Sequence, residues 1–387
     1  MTRTLLRNAR ILDPERVTAV EGAVLLESGR VKEVMTHPQP PVAGARVVEL
    51  AGAYLAPGWI DLHFHGSAAL CDADELPDAL AADAASIVRH GTTAFLATTV
   101  TRPMTHLAAF MTQLASCVSS PGSEAAQVLG SHLEGPWIRS EAAGAHDRNG
   151  ILPFDTAGVD LLDRAEGSLR MVTYAPEAAG ADRLQAELSR REIVGALGHS
   201  LADAACVESA ADRGARHVTH LFNAMGGFHH REPGLAAAAL SGERLTCDLI
   251  CDGVHLHPRV VRIAARAAAE RIALITDRVD PERDSARPDV LGVGGGLRSD
   301  GDAWRLPDGR LAGSRLQLDR ALRNWVEFTG CSLLDAVRAC TLRPARILGI
   351  ESERGSLRVG ARADLAILGS DLRVQQTWVA GERVYPA

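Results

Sequence analysis

Lysine is almost missing from this chain of 387 residues: Lys32 is the only one, and it sits near the N-terminus. No segment beyond it can offer a lysine as a ligand. Cationic excess is missing too. The net charge is −7 and the pI about 6.1, so no global basic field invites nucleic acid or anionic lipid. Long apolar runs are absent, and no membrane-spanning segment is expected. The N-terminus, Met1-Thr-Arg-Thr-Leu-Leu-Arg-Asn-Ala-Arg, is charged early and lacks a long apolar stretch. That argues against a secretory signal and for a cytoplasmic location. The 7 cysteines follow no framework spacing, which suits a reducing compartment. Cys247 and Cys251 lie on one strand-like run, about 13 Å apart at strand rise. That is too far for a shared zinc or a disulfide, so both are expected to be buried core thiols.

What is present is a rhythm. Residues 1–50 read as short β-strands, with Ala23–Leu26 and Arg30–Met35 flanking a Ser-Gly turn as a hairpin. From Leu55 onward, apolar strand-like runs alternate with Ala-rich helical stretches. The strands fall at 58–64, 92–99, 128–134, 169–175, 193–199, 217–222, 245–251 and 271–276. Helical stretches fall at 78–90, 104–118, 181–191, 202–214 and 258–270. Eight continuous apolar strands with helices between them predict an α/β fold, a closed parallel (β/α)8 TIM barrel. Residues 278–312, rich in Gly, Asp, Arg and Pro, predict an irregular loop and hairpin inserted after the eighth strand. Helices follow at 315–328 and 332–340, with a short third opened by Pro344. The tail returns to β at 363–368, 374–379 and from Gly381. Both ends are therefore β-rich. The economical division is a small β-sandwich domain from 1–54 and 350–387, with a hydrolase barrel at 55–349 between them.

Candidate ligands recur at strand ends. His63 and His65, in Pro57-Gly-Trp-Ile-Asp-Leu-His-Phe-His-Gly, close the first barrel strand, where positions i and i+2 share a face. Glu134 closes the third, His199 the fifth, His220 the sixth and Asp277 the eighth, while His255 follows the seventh. Carboxyl ends of barrel strands converge on the face where barrel active sites are built. Imidazole plus carboxylate without thiolate suits a divalent cation: Zn²⁺, or Fe²⁺, Mn²⁺ or Co²⁺. Glu134, His199 and His220 leave one tetrahedral position open, the catalytic pattern. His63 and His65 can build a second position beside it, with Glu134 bridging. Such an ion lowers the pKa of bound water from 15.7 to about 7. Asp277, beside that water, can take its proton and pass it to a leaving amine.

These strings resemble the amidohydrolase superfamily, and within it the N-acetylglucosamine-6-phosphate deacetylases. The resemblance covers almost the whole chain. It rests on Ala56-Pro-Gly-Trp-Ile-Asp-Leu-His-Phe-His-Gly, His132-Leu-Glu-Gly-Pro-Trp, Gly144-Ala-His, Gly198-His-Ser, Thr219-His-Leu-Phe-Asn-Ala-Met, Arg231-Glu-Pro-Gly, Asp252-Gly-Val-His, Thr276-Asp and Leu311-Ala-Gly-Ser. It implies Glu134, His199 and His220 as the main metal ligands. It implies His63 and His65, with Asp277 beside them, for members that bind two ions. Asp277 matches the catalytic acid/base. Ala145, His146, Asn223, Ala224, Arg231, His255, Leu311, Ala312 and Gly313 match substrate contacts. The residue matching Arg231 reaches the sugar phosphate in a neighbouring subunit, which implies a homodimer. His255 could polarise the acetyl carbonyl.

One departure stands out. Where the family shows small residues after the catalytic Asp, this chain has Asp277-Arg-Val-Asp-Pro-Glu-Arg-Asp-Ser. Arg278 could pair with Asp277 and depress its pKa, point outward to an anionic substrate group, or pair with Asp280 or Glu282. Three functions stay open. The first is deacetylation of N-acetylglucosamine 6-phosphate or of another N-acyl amino sugar such as N-acetylgalactosamine 6-phosphate. The second is a cyclic-amide hydrolase of the dihydroorotase or hydantoinase kind. Those typically use a carboxylated lysine, which this barrel lacks, so Glu134 must bridge. The third is a metal-stabilised sugar-phosphate binding protein without turnover.

Overall fold

The computed structural model describes residues 3–36, 42–67, 73–119, 125–165, 167–280 and 296–386. Eight parallel strands run in chain order: Trp59–Gly66, Thr92–Thr98, Gln127–Glu134, Leu169–Tyr174, Val194–Leu197, His217–Val218, Thr246–Ile250 and Ile272–Ile275. Each pairs with the next in parallel register. Every residue of Trp59–Gly66 and of Thr92–Thr98 is buried; the second runs largely apolar without alternation, while the first alternates Ile60, Leu62 and Phe64 with the buried polar Asp61, His63 and His65.

The ring closes through the chain just past the eighth strand. Asp277 donates its backbone N–H to the His63 carbonyl at 2.9 Å, and Arg278–Val279 pairs with the first barrel strand. The Asp61 carboxylate crosses the same seam, accepting the Thr276 hydroxyl at 2.6 Å. Burial pushes the Asp61 carboxyl up to about 7 against those donors.

A helix follows each barrel strand. The helices expected from the sequence appear at Leu76–Ile87, Met104–Ser119, Ala181–Arg190, Ala204–Asp212, Pro258–Ala268 and Leu318–Thr329. Two more complete the set, Thr156–Arg164 and Leu235–Ser241. The first carries a readable start, since the Asp155 side chain accepts from the N–H groups of Ala157 and Gly158. Two expected strands stop early. The run 193–199 is a strand only over Val194–Leu197, and 217–222 only over His217–Val218. The backbone turns left-handed just beyond each, at His199 (φ 47°) and His220 (φ 31°).

The second sheet is built from both ends of the chain. Arg3–Ile11, Val20–Glu27, Arg30–Thr36, Arg46–Glu49 and Tyr54–Pro57 join Leu365–Leu368, Val374–Val379 and Glu382–Tyr385. The hairpin turn at Ser28-Gly29 has positive φ at both residues, 52° and 78°, which matches the twist of the flanking strands. Leu6, Val24, Val31, Leu55, Leu365 and Trp378 meet in one apolar cluster, so the sheet wraps its own small core. The segment after the eighth barrel strand holds three short strands, Arg298–Asp300, Ala303–Arg305 and Leu311–Ser314. The rest of the expected loop, 281–295, lies outside the described residues. Cys247 and Cys251 are fully buried free thiols, and burial raises both above their ordinary pKa.

Candidate active site

Five imidazoles from distant parts of the chain converge on Glu134, and Asp277 joins them through two of the rings. Its Oε1 lies 3.1 Å from His199 Nε2, 3.0 Å from His220 Nε2 and 3.4 Å from His63 Nε2. Its Oε2 lies 3.4 Å from His65 Nε2 and 3.2 Å from His146 Nε2. Asp277 Oδ1 sits 3.1 Å from His65 Nε2 and 3.4 Å from His63 Nε2. The rings of each pair, His63 with His65 and His199 with His220, bring their Nε2 atoms to 3.1 Å.

Surrounding groups fix the rings. His65 Nδ1 donates to the Thr98 carbonyl at 3.1 Å and His199 Nδ1 to the Ala142 carbonyl at 2.8 Å. A carbonyl only accepts, so in the neutral ring each Nε2 keeps its lone pair for a cation. His146 is held the other way. Its Nδ1 accepts the Thr101 N–H at 3.0 Å, so the neutral ring carries its hydrogen on Nε2, facing Glu134. That makes His146 a donor rather than a ligand. Behind His220, Asp248 accepts the His220 backbone N–H and lies 3.0 Å from His217 Nε2. The His132 ring packs edge-on against His63 at 4.7 Å. Asp277 also has a left-handed backbone, φ 49°. Ala224 shares it (φ 49°), and four non-glycine residues in this conformation at one barrel mouth mark a site that stores strain.

The electrostatics follow the same grouping. Burial opposes ionisation of Glu134, yet His63, His146 and His199 outweigh it and hold the carboxyl well below the usual range. Burial opposes Asp277 likewise, and His65 and His63 hold it low. Burial would depress His65, but Asp277 and Glu134 raise it to about 10. Burial likewise works against His220, which Glu134 raises to about 9. Burial wins at His199, lowering it to about 4. A cation entering this cluster competes with protons, so its affinity falls as pH falls. Among the described residues, His63, His65 and Glu134 lie close enough to hold a metal, as do Glu134, His146 and His199, although in the second group His146 faces Glu134 as a donor and leaves Glu134 and His199 as the ligands.

A cavity of about 300 Å³ opens above these donors. Its walls include His65, Glu134, Ala145, His146, His199, His220, Asn223, Ala224, His255, Asp277, Leu311, Ala312 and Gly313. His63 lies beneath, fully buried. Arg231 is exposed and does not line this cavity. Gly313 has φ 81°, and a Cβ there would run into Val279 and lie 3.1 Å from the Asp277 carbonyl. The structure adds four wall residues that sequence reasoning missed: Val100, Gly144, Val279 and Arg310. Arg310 directly precedes the Leu311-Ala-Gly string, and its guanidinium bonds the Gly144 carbonyl and Asp308. Arg278 turns away from Asp277. It forms a two-pronged pair with Asp280, at 2.9 and 2.7 Å, and donates to the Arg315 carbonyl at 2.6 Å. Its other considered partner, Glu282, lies outside the described residues.

A cluster of imidazoles and carboxylates under a cavity at the carboxyl mouth of a (β/α)8 barrel defines the class of metal-dependent barrel hydrolases. Comparison with known proteins narrows it. The amidohydrolase family model matches residues 54–384. N-acetylgalactosamine-6-phosphate deacetylase of Escherichia coli O157:H7 is 38% identical over 339 residues, covering 87% of this chain and 89% of that one. N-acetylglucosamine-6-phosphate deacetylase of Bacillus subtilis is 33% identical over 389 residues, covering 98% and 97%. A structure of the Mycobacterium smegmatis N-acetylglucosamine-6-phosphate deacetylase, in complex with N-acetyl-D-glucosamine 6-phosphate, superposes with a TM-score of 0.87 at 32% identity, covering 99% of this chain and 100% of that one. The chain belongs to the amidohydrolase family, in its N-acetylglucosamine-6-phosphate deacetylase branch. No helix among the described residues is long and apolar enough to cross a membrane.

Proposed function

We propose that this chain hydrolyses the acetamide of N-acetylglucosamine 6-phosphate, giving acetate and glucosamine 6-phosphate. The observation that carries this reading is the convergence of His63, His65, His146, His199, His220 and Asp277 around Glu134 beneath a cavity. The donor set fits a divalent ion, Zn²⁺ first, since rings tied through Nδ1 present Nε2 lone pairs beside carboxylate oxygens. Glu134, His199 and His220 would hold one ion; His63, His65 and Asp277, sharing Glu134, would hold a second. A bound ion supplies Lewis acidity, acidifying water and polarising the acetyl carbonyl. Asp277 takes the proton of the attacking water and delivers it to the departing nitrogen. His255 donates a hydrogen bond to the oxygen on which charge develops. Ala145, His146, Asn223, Ala224 and Leu311–Gly313 hold the sugar.

Arg231 belongs to a neighbouring copy's site in this reading. Its exposure, its absence from the walls of its own cavity and the 63% exposure of Phe228 three residues earlier all support a homodimer joined there. The division into 1–54 with 350–387 and 55–349 belongs to the same proposal. So does a cytoplasmic location, which the scattered free cysteines favour.

A second reading has one observation behind it: the 38% identical relative acts, by its name, on N-acetylgalactosamine 6-phosphate. Acetate release from both epimers, with and without the phosphate, together with metal analysis of the purified protein, tests both. Faster turnover of the galacto epimer transfers the assignment. Bound metal and bound sugar with no acetate from either would leave a binding protein.

A further inference from the structure

His255 lines the cavity but takes its orientation from outside it. Its Nδ1 lies 2.6 Å from Asp252 Oδ2, and the two side chains are only 4% and 1% exposed. Asp252 is itself fixed, because its Oδ1 accepts the backbone N–H groups of Val254 and His255, each at 2.8 Å. One carboxylate thus closes the loop Asp252–His255 on itself and spends its other oxygen on the ring. A carboxylate only accepts, so Nδ1 carries a hydrogen and Nε2 is the one polar atom left for the cavity.

The other rings on the wall are backed differently. His65 and His199 give their Nδ1 hydrogens to carbonyls, and His146 accepts a backbone N–H. Among the described residues lining the cavity, only His255 has a carboxylate at Nδ1. The difference decides the chemistry. A neutral ring with its hydrogen on Nδ1 offers a lone pair at Nε2, which repels a carbonyl oxygen. To donate from Nε2 the ring must carry both hydrogens, and Asp252 Oδ2, 2.6 Å from Nδ1, is placed to accept one of them.

We propose that Asp252 is a positioning residue for the hydrolysis. It turns the Nδ1–H of His255 into its own loop and aims Nε2 at the cavity. Its charge balances the imidazolium that donates to the acetyl oxygen. The inference rests on the role given to His255 above, and the test separates the two.

Asp252→Asn is close in shape, and its Oδ1 can keep both backbone bonds. Its amide then faces Nδ1 as a donor, so the ring loses its second hydrogen and keeps one on Nε2. Two measurements follow. In ¹⁵N-histidine NMR of the wild-type protein, the resonance removed by His255→Gln is that of a ring protonated at Nδ1, and Asp252→Asn abolishes that state. In steady-state kinetics, Asp252→Asn lowers kcat by about tenfold to a hundredfold, with KM within about threefold, because one donor is weakened rather than removed. His255→Gln costs at least as much. If His255→Gln loses more than tenfold and Asp252→Asn less than twofold, the role of Asp252 is overturned and that of His255 stands. If His255→Gln is itself harmless, the donor role of His255 falls and this inference with it. A wild-type spectrum with Nδ1 unprotonated overturns the inference without any variant.

Discussion

Two histidine pairs face Glu134, and they are built in opposite ways. His63 and His65 stand on an unbroken strand, where alternation alone puts both rings on one side. His199 and His220 stand past the ends of their strands, each with left-handed backbone, φ 47° and 31°. The outcomes match closely. In each pair one ring is tied through Nδ1 to a carbonyl, and the other has no Nδ1 partner among the described residues. The contacts with the shared carboxylate differ. The irregular pair approaches Glu134 at 3.1 and 3.0 Å, the regular pair at 3.4 Å each. Left-handed backbone at a non-glycine residue costs about 1–3 kcal/mol. The strain is placed where the grip on Glu134 is closest.

The harshest test removes the carboxylate that stands beside the regular pair alone. Asp277→Asn is expected to lower kcat about a thousandfold, with metal content retained at the His199–His220 side. Acetate release and plasma mass spectrometry of the same sample measure both. Substantial residual turnover would mean that proton transfer does not run through Asp277, and the regular pair would lose its chemical distinction.

Next come the pairs themselves. His220→Ala should cost about a hundredfold or more in kcat/KM and most of the tightly held metal. His65→Ala should cost about tenfold and only part of the metal. Metal titration of both variants in parallel checks the order, and the reverse order would break the comparison. Gly313→Ala asks whether backbone handedness matters on the cavity wall as well. With φ 81° and no room for a Cβ beside Val279, it should lose about 1–2 kcal/mol in chemical denaturation and raise KM several-fold.

The smallest effect is expected far from both pairs. Burial opposes ionisation of Asp319, but His90 and Arg323 hold its pKa below the ordinary value. A depressed carboxylate stabilises the fold above its unfolded pKa, about 4, and that contribution is lost as pH falls through the folded value. Asp319→Asn should therefore flatten the decline of Tm between about pH 5 and 3, while its acetate release at neutral pH matches the wild type. A steeper decline would sink this.

The regular half of this architecture was legible because it follows periods. Eight apolar runs, and two histidines two apart, are read directly from spacing. The irregular half was visible only as motif strings, since nothing in Leu197-Gly-His-Ser or Val218-Thr-His-Leu announces a left-handed turn at the histidine. That is why both strands were expected to run too far. The helix Thr156–Arg164 went unread although Asp155 caps it, because its apolar face is short. Arg310 adjoins the Leu311-Ala-Gly string, yet nothing in its spacing sets it apart from the other arginines, and Val100 reaches the cavity only through the folding of a separate loop. Arg278 posed a question of direction that side-chain geometry alone could answer.

The seam between the earliest and latest barrel strands runs through one half of the site. On a ribosome, a chain that has emerged only as far as the sixth strand already owns Glu134, His199 and His220. It also owns His63 and His65, but not Asp277, nor the Thr276 hydroxyl that Asp61 needs to pull the cylinder shut. The residues of the two halves therefore leave the ribosome at different times, and the half that includes Asp277 is complete only when the last stave is in place.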